Sequence, residues 1–318
     1  MQLKDAKEHQ KLNQQRLLIK SAEQKETKKQ QPYLKLLLAD PTNELSANLW
    51  DVTDEQIDTY QAGTVIDVNG EISSFNNKLQ ININQISVDD NQDLEDLIPT
   101  IPEDYQQVKA DLIRYTEEIT DPVYSLIVRT LLSRHDHEFL KWPAAVTVHH
   151  NFYHGLLFHT VSILRQLDHF SHQYPQLDRQ LMFAGAILHD MGKVIELSDV
   201  LNTKYTTIGQ LIGHISIIDG EINRVAEDNH IPEDNQHLLL LRHMVLSHHG
   251  KLEYGSPVEP RILEAVLLHQ ADETDAQINT ITKVLNHTDP QTWSEKLWTQ
   301  DNHSFLNHQE DNHGQEKL

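Results

Sequence analysis

Histidine and aspartate are the residues through which this sequence can do chemistry, and they recur in a specific order. They occur in helical runs such as AGAILHDMGK and LRHMVLSHHG. In chain order the candidates are His159, His189, Asp190, His214, His248, His249 and Asp272. A buried imidazole without a partner costs roughly 2 kcal/mol, so several buried together indicate a shared partner. A metal ion held between helices is such a partner, and we predict that all seven residues are metal ligands.

The carboxylate of Asp190 has two oxygens, so we predict that it bridges two divalent cations. The ligand sets that we expect are His159, His189 and Asp272 for one cation and His214, His248 and His249 for the other. Neighbouring residues on a helix point about 100° apart, so His248 and His249 can share a cation only at a helix end. Gly250 follows directly and predicts that end.

The sequence contains no cysteine, which excludes thiolate metal sites, disulfides and cysteine nucleophiles. Ligands with nitrogen and oxygen donors suit Mn²⁺, Co²⁺, Fe²⁺ and Zn²⁺. We take Mn²⁺ as the first choice, and the other three stay as alternatives that the sequence does not separate.

Other polar residues near these motifs are candidates for catalytic or supporting roles. Lys193, three residues after Asp190, is predicted to lie on the same helical face and to bind a phosphate oxygen. The alternative is a solvated surface lysine. Lys251 is a weaker candidate for binding substrate phosphate. The residues predicted to support the ligands from behind are Asp275, His149 and His150.

Two kinds of periodicity along the chain predict the elements that position these residues. From residue 105 onward the apolar residues repeat with a helical period, as in GLLFHTVSILRQLDHF, in GQLIGHISIIDGEINRVAED from Gly209, and in the run that begins at Pro122. Residues 16–88 instead form five short apolar or alternating runs. These are RLLIKSA, PYLKLLLAD, LSANLWDV, TVIDVNGEISSF and KLQININQISV. Five strands in so short a stretch predict a small barrel of the OB type.

Two features of the predicted barrel bear on its structure and use. Asn69-Gly70 lies inside one run and is either a hairpin turn or a β-bulge. The residues predicted to bind single-stranded nucleic acid by stacking and charge are Tyr33, Lys35, Trp50 and Phe75. For the aromatic residues the alternative is a place in the barrel core.

The chain is therefore predicted to be a multidomain protein of α and β structure, with a small N-terminal OB-type β-barrel followed by an all-α domain. The predicted segments are an N-terminal extension (1–15), the barrel (16–88), an acidic linker with Pro99 and Pro102 (89–104), the helical domain (105–288) and a polar, loosely ordered tail (289–318). No run approaches the roughly 18 apolar residues of a membrane span. The polar N-terminus lacks the apolar core of a signal peptide, so we expect a cytoplasmic protein.

The charge of the chain limits how it can bind nucleic acid. With 26 basic and 48 acidic residues the formal net charge is −22, which argues against a broad basic binding face. Residues 1–36 are an exception, with nine Lys or Arg against four acidic residues. This local excess is either a modest electrostatic foothold for nucleic acid or a solvated basic end.

The order of the seven candidate ligands resembles the HD superfamily of metal-dependent phosphohydrolases. The resemblance implies a minimal metal site of His159, His189, Asp190 and Asp272. The three further histidines match the subset of that superfamily that holds two metals. From about residue 16 to residue 305 the chain is also similar to the YhaM family of bacterial 3′-to-5′ exoribonucleases. The segments that carry this similarity include PYLKLLLAD, ANLWDV, FLKWPAAVTVHHNF, LSHHGKLEYGSP and ADETDA.

The resemblance implies an OB-type domain joined to an HD domain and an enzyme that shortens single-stranded RNA, and often single-stranded DNA, from the 3′ end. Two-metal hydrolysis would give 5′-mononucleotides. Homo-oligomers are compatible with the sequence. One alternative is an HD enzyme that acts on a nucleotide or a cyclic dinucleotide, although the Gly-Tyr-Pro signature of cyclic-dinucleotide enzymes is absent after His249. Another is a non-catalytic RNA-binding module with a structural metal.

Overall fold

The computed structural model describes residues 1–27, 30–75, 78–92, 94, 96–98, 100–144, 152–198 and 203–309. The chain begins with a closed five-stranded β-barrel whose strands follow the order β1-β2-β3-β5-β4. The strands are β1 (Lys11–Glu26), β2 (Pro32–Asp40), β3 (Asn43–Trp50), β4 (Val65–Phe75) and β5 (Lys78–Val88). Neighbouring strands pair antiparallel except β3 and β5, which are parallel. This closed barrel fits the predicted OB-type domain.

The alternation of apolar and polar residues closes the barrel around a core. In β2, Leu34, Leu36 and Leu38 are buried, while Lys35 between them is exposed. Successive side chains of a strand point to opposite faces, so the leucines face inward. The Asn69-Gly70 dipeptide forms a β-bulge where the register between β4 and β5 shifts, and not a hairpin turn. A Cβ at Gly70 would lie 2.3 Å from the backbone oxygen of Asn82, so the close strand approach requires glycine here.

The barrel is larger than the sequence predicts. Strand β1 begins at Lys11, and Leu3 in the preceding 3₁₀ turn is buried in the barrel core, so much of the expected N-terminal extension packs with the barrel. A short helix α1 (Asp54–Thr59) between β3 and β4 was not predicted. Its N-terminus is a capping box of Thr53 and Gln56, a signal that the sequence does contain.

The acidic segment after the barrel is anchored by its apolar residues. Leu97 and Ile98 are buried in one cluster with Leu18 and Val65 of the barrel, and Tyr153 from the chain beyond this segment joins the same cluster. The sequence predicts a linker from the acids and prolines. The apolar side chains of Leu97 and Ile98 are instead buried, so this part of the segment packs against the barrel and is not an open linker.

The remaining chain is helical. Its helices are α2 (Tyr105–Glu117), α3 (Pro122–Arg134), α4 (Asp136–Lys141), α5 (Gly155–Gln173), α6 (Arg179–Leu188), α7 (Lys193–Glu196), α8 (Thr207–Ile212), α9 (His214–Asp228), α10 (Gln236–Ser247) and α11 (Leu263–Leu285). A barrel followed by a helical domain confirms the predicted fold class. None of the helices that the structure describes has both the length and the apolar character needed to cross a membrane.

Helix α6 is the centre of the helical domain. Its residues from Leu181 to Leu188 are all buried, and it packs against α3, α5, α10 and α11. Gly185 makes the contact with α10 close, because a Cβ there would lie 2.7 Å from the Met244 methyl carbon. His189 and Asp190 follow at the C-terminal end of this helix, which places these two metal-ligand candidates in the interior of the domain.

Three runs that the sequence predicts as continuous helices are broken. The run from Pro122 breaks at His135, the run through the His-Asp pair breaks between Leu188 and Lys193, and the run from Gly209 breaks at Gly213. Gly213 has a φ of +76°, which ends α8 and redirects the chain into α9. Apolar periodicity continues across such breaks because both flanking helices bury the same side of the chain.

The expectation of a loosely ordered tail is wrong for the described part of it. Trp293 forms an antiparallel β-bridge with Leu306, and Leu297 forms one with His303. The chain after α11 therefore folds back on itself as an antiparallel hairpin. The Asn307 amide donates to the Thr288 carbonyl at 2.7 Å and fixes this hairpin to the end of α11. Residues 310–318 lie outside the described residues.

Candidate metal centre

The helical domain brings the seven candidate ligands together from five parts of the chain. His159 lies in α5, His189 and Asp190 follow the last residue of α6, and His214 begins α9. His248 and His249 follow the last residue of α10, and Asp272 lies in α11. Gly250 has a φ of +78°, and its backbone N–H donates to the Ser247 carbonyl. The helix therefore ends where the sequence predicts, and the two histidines turn toward one region.

His159, His189 and Asp272 form the first of two compact sets, with one possible ligand atom from each residue inside a mutual distance of 4.8 Å. The Nε2 atoms of His159 and His189 are 3.4 Å apart. Asp272 Oδ1 lies 3.2 Å from His159 Nε2. Side chains of His159 and His189 are essentially inaccessible to solvent, so this set is enclosed by the domain.

His214, His248 and His249 form the second set, within the same mutual distance of 4.8 Å. The ring centroids of His248 and His249 are 4.4 Å apart, and those of His214 and His249 are 5.3 Å apart. Adjacent imidazoles therefore do converge at this helix end. Membership of the two sets matches the division that the sequence predicts, and metal binding by them stays a prediction.

Asp190 faces both sets with different oxygens. Its Oδ2 lies 3.4 Å from His159 Nε2 and 3.3 Å from His189 Nε2. Its Oδ1 lies 3.4 Å from His214 Nε2 and 3.8 Å from His248 Nε2. This is the arrangement required of a carboxylate that bridges two cations.

Each of the five histidines in the two sets is oriented by a hydrogen-bond acceptor at its Nδ1. His189 donates to the Ala186 carbonyl at 2.8 Å and His248 to the Val245 carbonyl at 2.7 Å. His249 donates to the Tyr254 carbonyl at 2.9 Å. A carbonyl oxygen only accepts, so these three rings carry their hydrogen on Nδ1 and present a bare Nε2 when neutral.

The other two histidines donate to carboxylates. His159 Nδ1 donates to Asp275 Oδ2 at 2.7 Å, and Ser162 donates its hydroxyl to the other oxygen of Asp275. His214 Nδ1 lies 3.1 Å from both oxygens of Glu196. Carboxylates behind metal-binding imidazoles fix the ring and increase the basicity of the opposite nitrogen.

Buried atoms without partners show that these residues fit a cation. Asp190 Oδ1, His214 Nε2 and His248 Nε2 are shielded from solvent and have no hydrogen-bond partner among the described residues. Each is an electron-pair donor that faces other donors. Such an arrangement is costly without a positive charge between the atoms, and a divalent cation supplies it.

The electrostatics of the site also favour a cation. Burial raises the pKa of Asp190, but Lys193 and His189 outweigh burial and hold that pKa well below its ordinary value. Burial lowers the pKa of His159, yet hydrogen bonds to Asp190, Asp272 and Asp275 raise it well above the ordinary value. Burial lowers the pKa of His248 and of His249, so both are neutral at pH 7 and ready to bind metal.

Lys193 is a partly buried neighbour of the site. Its Nζ lies 2.6 Å from Asp190 Oδ2, and its side chain is 14% exposed, so the alternative of a solvated lysine is wrong. Helix α6 ends before it, so proximity to Asp190 comes from the tight turn and not from a continuous helical face. Gly192 in this turn lets α9 approach, because a Cβ there would lie 2.2 Å from the His214 carbonyl oxygen.

Lys251 is far more open, with a side chain that is 57% exposed and an Nζ 5.1 Å from the Tyr254 ring centroid. Its role in substrate binding stays a prediction. His149 and His150 lie outside the described residues. Asp275 is placed as expected of a supporting residue, directly behind His159.

Sequence reasoning missed two residues that touch the site. Glu196 is only 8% exposed and binds both the backbone and the ring of His214. His269 donates from Nδ1 to the His248 carbonyl at 2.9 Å and packs against Gly250. The position of Glu196 inside the apolar run VIEL is a sequence signal that this carboxylate is buried and has a partner. Nothing in the local sequence distinguishes His269 from the other histidines of the chain.

On the barrel, the candidate stacking residues face outward. Tyr33 and Trp50 are cross-strand partners whose rings stack with centroids 4.7 Å apart, and Trp50 is 52% exposed. Phe75 is 65% exposed at the end of β4, opposite Lys78. Core burial is therefore excluded for Trp50 and Phe75, and their binding to nucleic acid stays a prediction.

Residues 155–277 match the HD domain family. The matched range begins with α5, ends within α11 and contains all seven candidate ligands. An HD domain indicates a hydrolase of the metal-dependent phosphohydrolase superfamily. Together with the N-terminal barrel, the match fits the combination of an OB-type domain and an HD domain.

Proposed function

We propose that this protein is a metal-dependent exonuclease that hydrolyses single-stranded RNA, with single-stranded DNA as a second substrate, from the 3′ end to 5′-mononucleotides. The observation that carries the proposal is the presence, in one chain, of an HD domain whose Asp190 faces both candidate ligand sets and a barrel with an exposed aromatic stack. A phosphohydrolase of small nucleotides has no need of a surface for single strands. The 3′-to-5′ polarity rests on the resemblance to the YhaM family alone.

The barrel surface around the aromatic pair has the chemistry of a sequence-tolerant platform. Lys35 is exposed beside Tyr33 on β2 and pairs across the sheet with Asn48. Asn48 in turn pairs with Asn82 of β5. Aromatic rings can stack on bases, lysine can meet a phosphate, and the amide side chains can bind base edges or sugars. Each stacked base contributes about 1–3 kcal/mol.

The chain's own residues have distinct roles in the proposed reaction. The chemistry that two divalent cations supply when bound is neutralisation of charge at the phosphate and a lowered pKa of water. Asp190 and the two ligand sets would hold those cations at fixed positions, with Asp275 in contact with His159 and Glu196 in contact with His214 behind them. The proposed role of the Lys193 ammonium, which lies beside Asp190, is to bind a phosphate oxygen whose negative charge grows in the transition state.

A nuclease assay with labelled RNA tests this function. The full-length protein is incubated with a single-stranded 20-mer carrying a label at its 5′ end, with Mn²⁺, Co²⁺, Fe²⁺, Zn²⁺ or none. A 3′-to-5′ exonuclease gives a ladder of progressively shorter 5′-labelled products, and the same oligomer labelled at its 3′ end gives labelled mononucleotide at once. An early labelled mononucleotide from the 5′ label would instead show the opposite polarity.

Barrel variants separate a nuclease from a hydrolase of small nucleotides. Trp50→Ala should raise the RNA concentration for half-maximal rate roughly 5- to 150-fold, since one stacked base contributes about 1–3 kcal/mol. Hydrolysis of bis(p-nitrophenyl) phosphate should be unchanged. Trp298→Ala removes another exposed tryptophan, 75% exposed against 52% for Trp50, from the C-terminal hairpin and serves as the control. Faster hydrolysis of nucleotides or cyclic dinucleotides than of RNA would favour the alternative HD activity.

A further inference from the structure

Helix α9 starts at His214 without a side-chain cap from the preceding residue. That residue is Gly213, whose φ of +76° separates α9 from α8. The carboxylate of Glu196 takes the place of the cap. Glu196 Oε1 accepts the His214 backbone N–H at 3.1 Å, and both oxygens lie 3.1 Å from His214 Nδ1.

We infer that Glu196 is a positioning residue for the second cation: it sets the tautomer and the location of His214, so that the Nε2 lone pair faces Asp190 before any cation binds. The inference rests on the proposed two-cation site. Glu196 belongs to neither ligand set and acts through its direct contacts with His214. Its contacts hold both the start of the helix and the ring of its first residue.

The position of His214 in its helix explains why such a residue is needed. His189 and His248 lie at the C-terminal ends of helices and donate from Nδ1 to carbonyls three residues earlier. His214 is the first residue of α9, so its helix has no earlier carbonyl to accept from it. An acceptor must come from another element, and Glu196 at the end of α7 provides it.

Packing around Glu196 and His214 leaves these two residues little freedom to rearrange. The backbone packs closely here. A Cβ at Gly192 would lie 2.2 Å from the His214 carbonyl oxygen, and a Cβ at Gly209 would lie 2.3 Å from the Glu196 carbonyl oxygen. Thr206 donates its backbone N–H to the Glu196 carbonyl at 2.9 Å. The negative carboxylate also lies at the positive N-terminal end of α9, an arrangement that favours its charged form.

Replacement of the carboxylate by an amide tests the inference. In Glu196→Gln only one terminal atom accepts, and the amide NH₂ facing His214 favours hydrogen on Nε2, which removes the lone pair for the cation. Mn²⁺ titration by calorimetry on the full-length, chelator-treated protein should show one site as in wild type. The second site should bind roughly 10- to 100-fold more weakly.

Two controls separate positioning from general destabilisation. Glu221→Gln changes another carboxylate that is 8% exposed and lies on α9, where it pairs with Arg134, so both Mn²⁺ sites should stay as in wild type. In the His214→Ala background Glu196→Gln should cause no further loss of Mn²⁺. Nitrogen-15 NMR of the cation-free protein should show the His214 hydrogen on Nδ1 in wild type and on Nε2 in Glu196→Gln.

The outcomes distinguish this inference from the function on which it rests. Fewer than two Mn²⁺ per wild-type chain would remove the two-cation site itself. Two sites in wild type and unchanged binding in Glu196→Gln would overturn the role of Glu196 and leave the two-cation site intact. If Glu196→Gln loses both Mn²⁺ sites and its helical circular dichroism signal, the contact between Glu196 and His214 is needed for folding. This result would also overturn the inference.

Discussion

The carboxylate of Asp275 accepts the Nδ1 hydrogen of His159 at 2.7 Å, although the two residues are 116 positions apart in the chain. Asp275 lies about one turn beyond Asp272 on α11. One helix therefore supplies both a candidate ligand and the support of a ligand from α5. This double role explains why α11 must pack against α5 with a fixed register.

Asp275→Asn should weaken the first cation site selectively. The amide cannot accept from both His159 and Ser162 as the carboxylate does, so the ring of His159 loses its fixed orientation. We expect binding of one Mn²⁺ to weaken roughly 10- to 100-fold, with the other site near wild type, in calorimetric titration. Asp219→Asn, which alters a carboxylate paired with Arg242, is the control. Equal weakening in both variants would contradict the proposed role.

Asp190→Ala should remove both cations and all hydrolysis. Its two oxygens face different ligand sets, and without them two cations at short range repel each other with no negative charge between them. His214→Ala should cost mainly the second cation. Metal analysis of the purified variants measures both effects, and His243→Ala controls for the loss of an imidazole outside the site. Full metal content in Asp190→Ala would refute the site.

The residues of the two candidate sets could be predicted because histidine and aspartate are strong metal-ligand types and most of these residues stand in apolar helical runs. His189-Asp190 and His248-His249 are recognisable from residue type and order alone. Glu196 could not be assigned in the same way, because its role depends on the break at Gly213 and on the starting point of α9. Apolar periodicity does not mark that break, since α8 and α9 both continue the pattern.

The barrel strands could be predicted for a similar reason. Alternation in β2 and β5 specifies which side chains face the core, and pairing then follows from closure of the sheet. Its first strand was placed to start at Arg16 because the residues before it are polar. Leu12 in the longer strand and Leu3 in the 3₁₀ turn before it are both buried, and only the three-dimensional packing identifies these isolated leucines as core.

Lys193→Ala should slow hydrolysis without loss of metal. A charged contact to a developing anion contributes about 2–3 kcal/mol, which corresponds to a rate decrease of roughly 30- to 150-fold. Turnover at saturating RNA and metal content are measured together. The exposed Lys251 is the comparison, and Lys251→Ala should change the rate by less than about fivefold. Unchanged turnover and RNA affinity in Lys193→Ala would remove the lysine from the catalytic site.

Glu221 should stabilise the fold at neutral pH and not in acid. Burial raises the pKa of Glu221, but hydrogen bonds from Arg134 and Arg224 outweigh it and hold that pKa below the ordinary 4.5. Stability from a lowered pKa is present above the unfolded-state value and is lost as pH falls through the folded-state value. Glu221→Gln should therefore lower the free energy of unfolding by about 1–3 kcal/mol at pH 7. The difference should shrink below about pH 4, and a difference independent of pH would contradict the ion pair.

Binding of RNA should depend only weakly on salt. Single strands release counterions in proportion to the phosphates that a protein neutralises, with a slope of about −0.7 per phosphate. The chain carries a net charge of −22, and Lys25 near the aromatic pair is already bound to Glu23 at 2.9 Å. Stacking on Tyr33 and Trp50 must then supply much of the affinity. We expect a slope shallower than about −2 between 50 and 200 mM KCl, measured by fluorescence anisotropy with the inactive Asp190→Ala variant. A slope near −5 would show that an extended basic surface binds the strand, and Trp50→Ala would then leave the affinity unchanged.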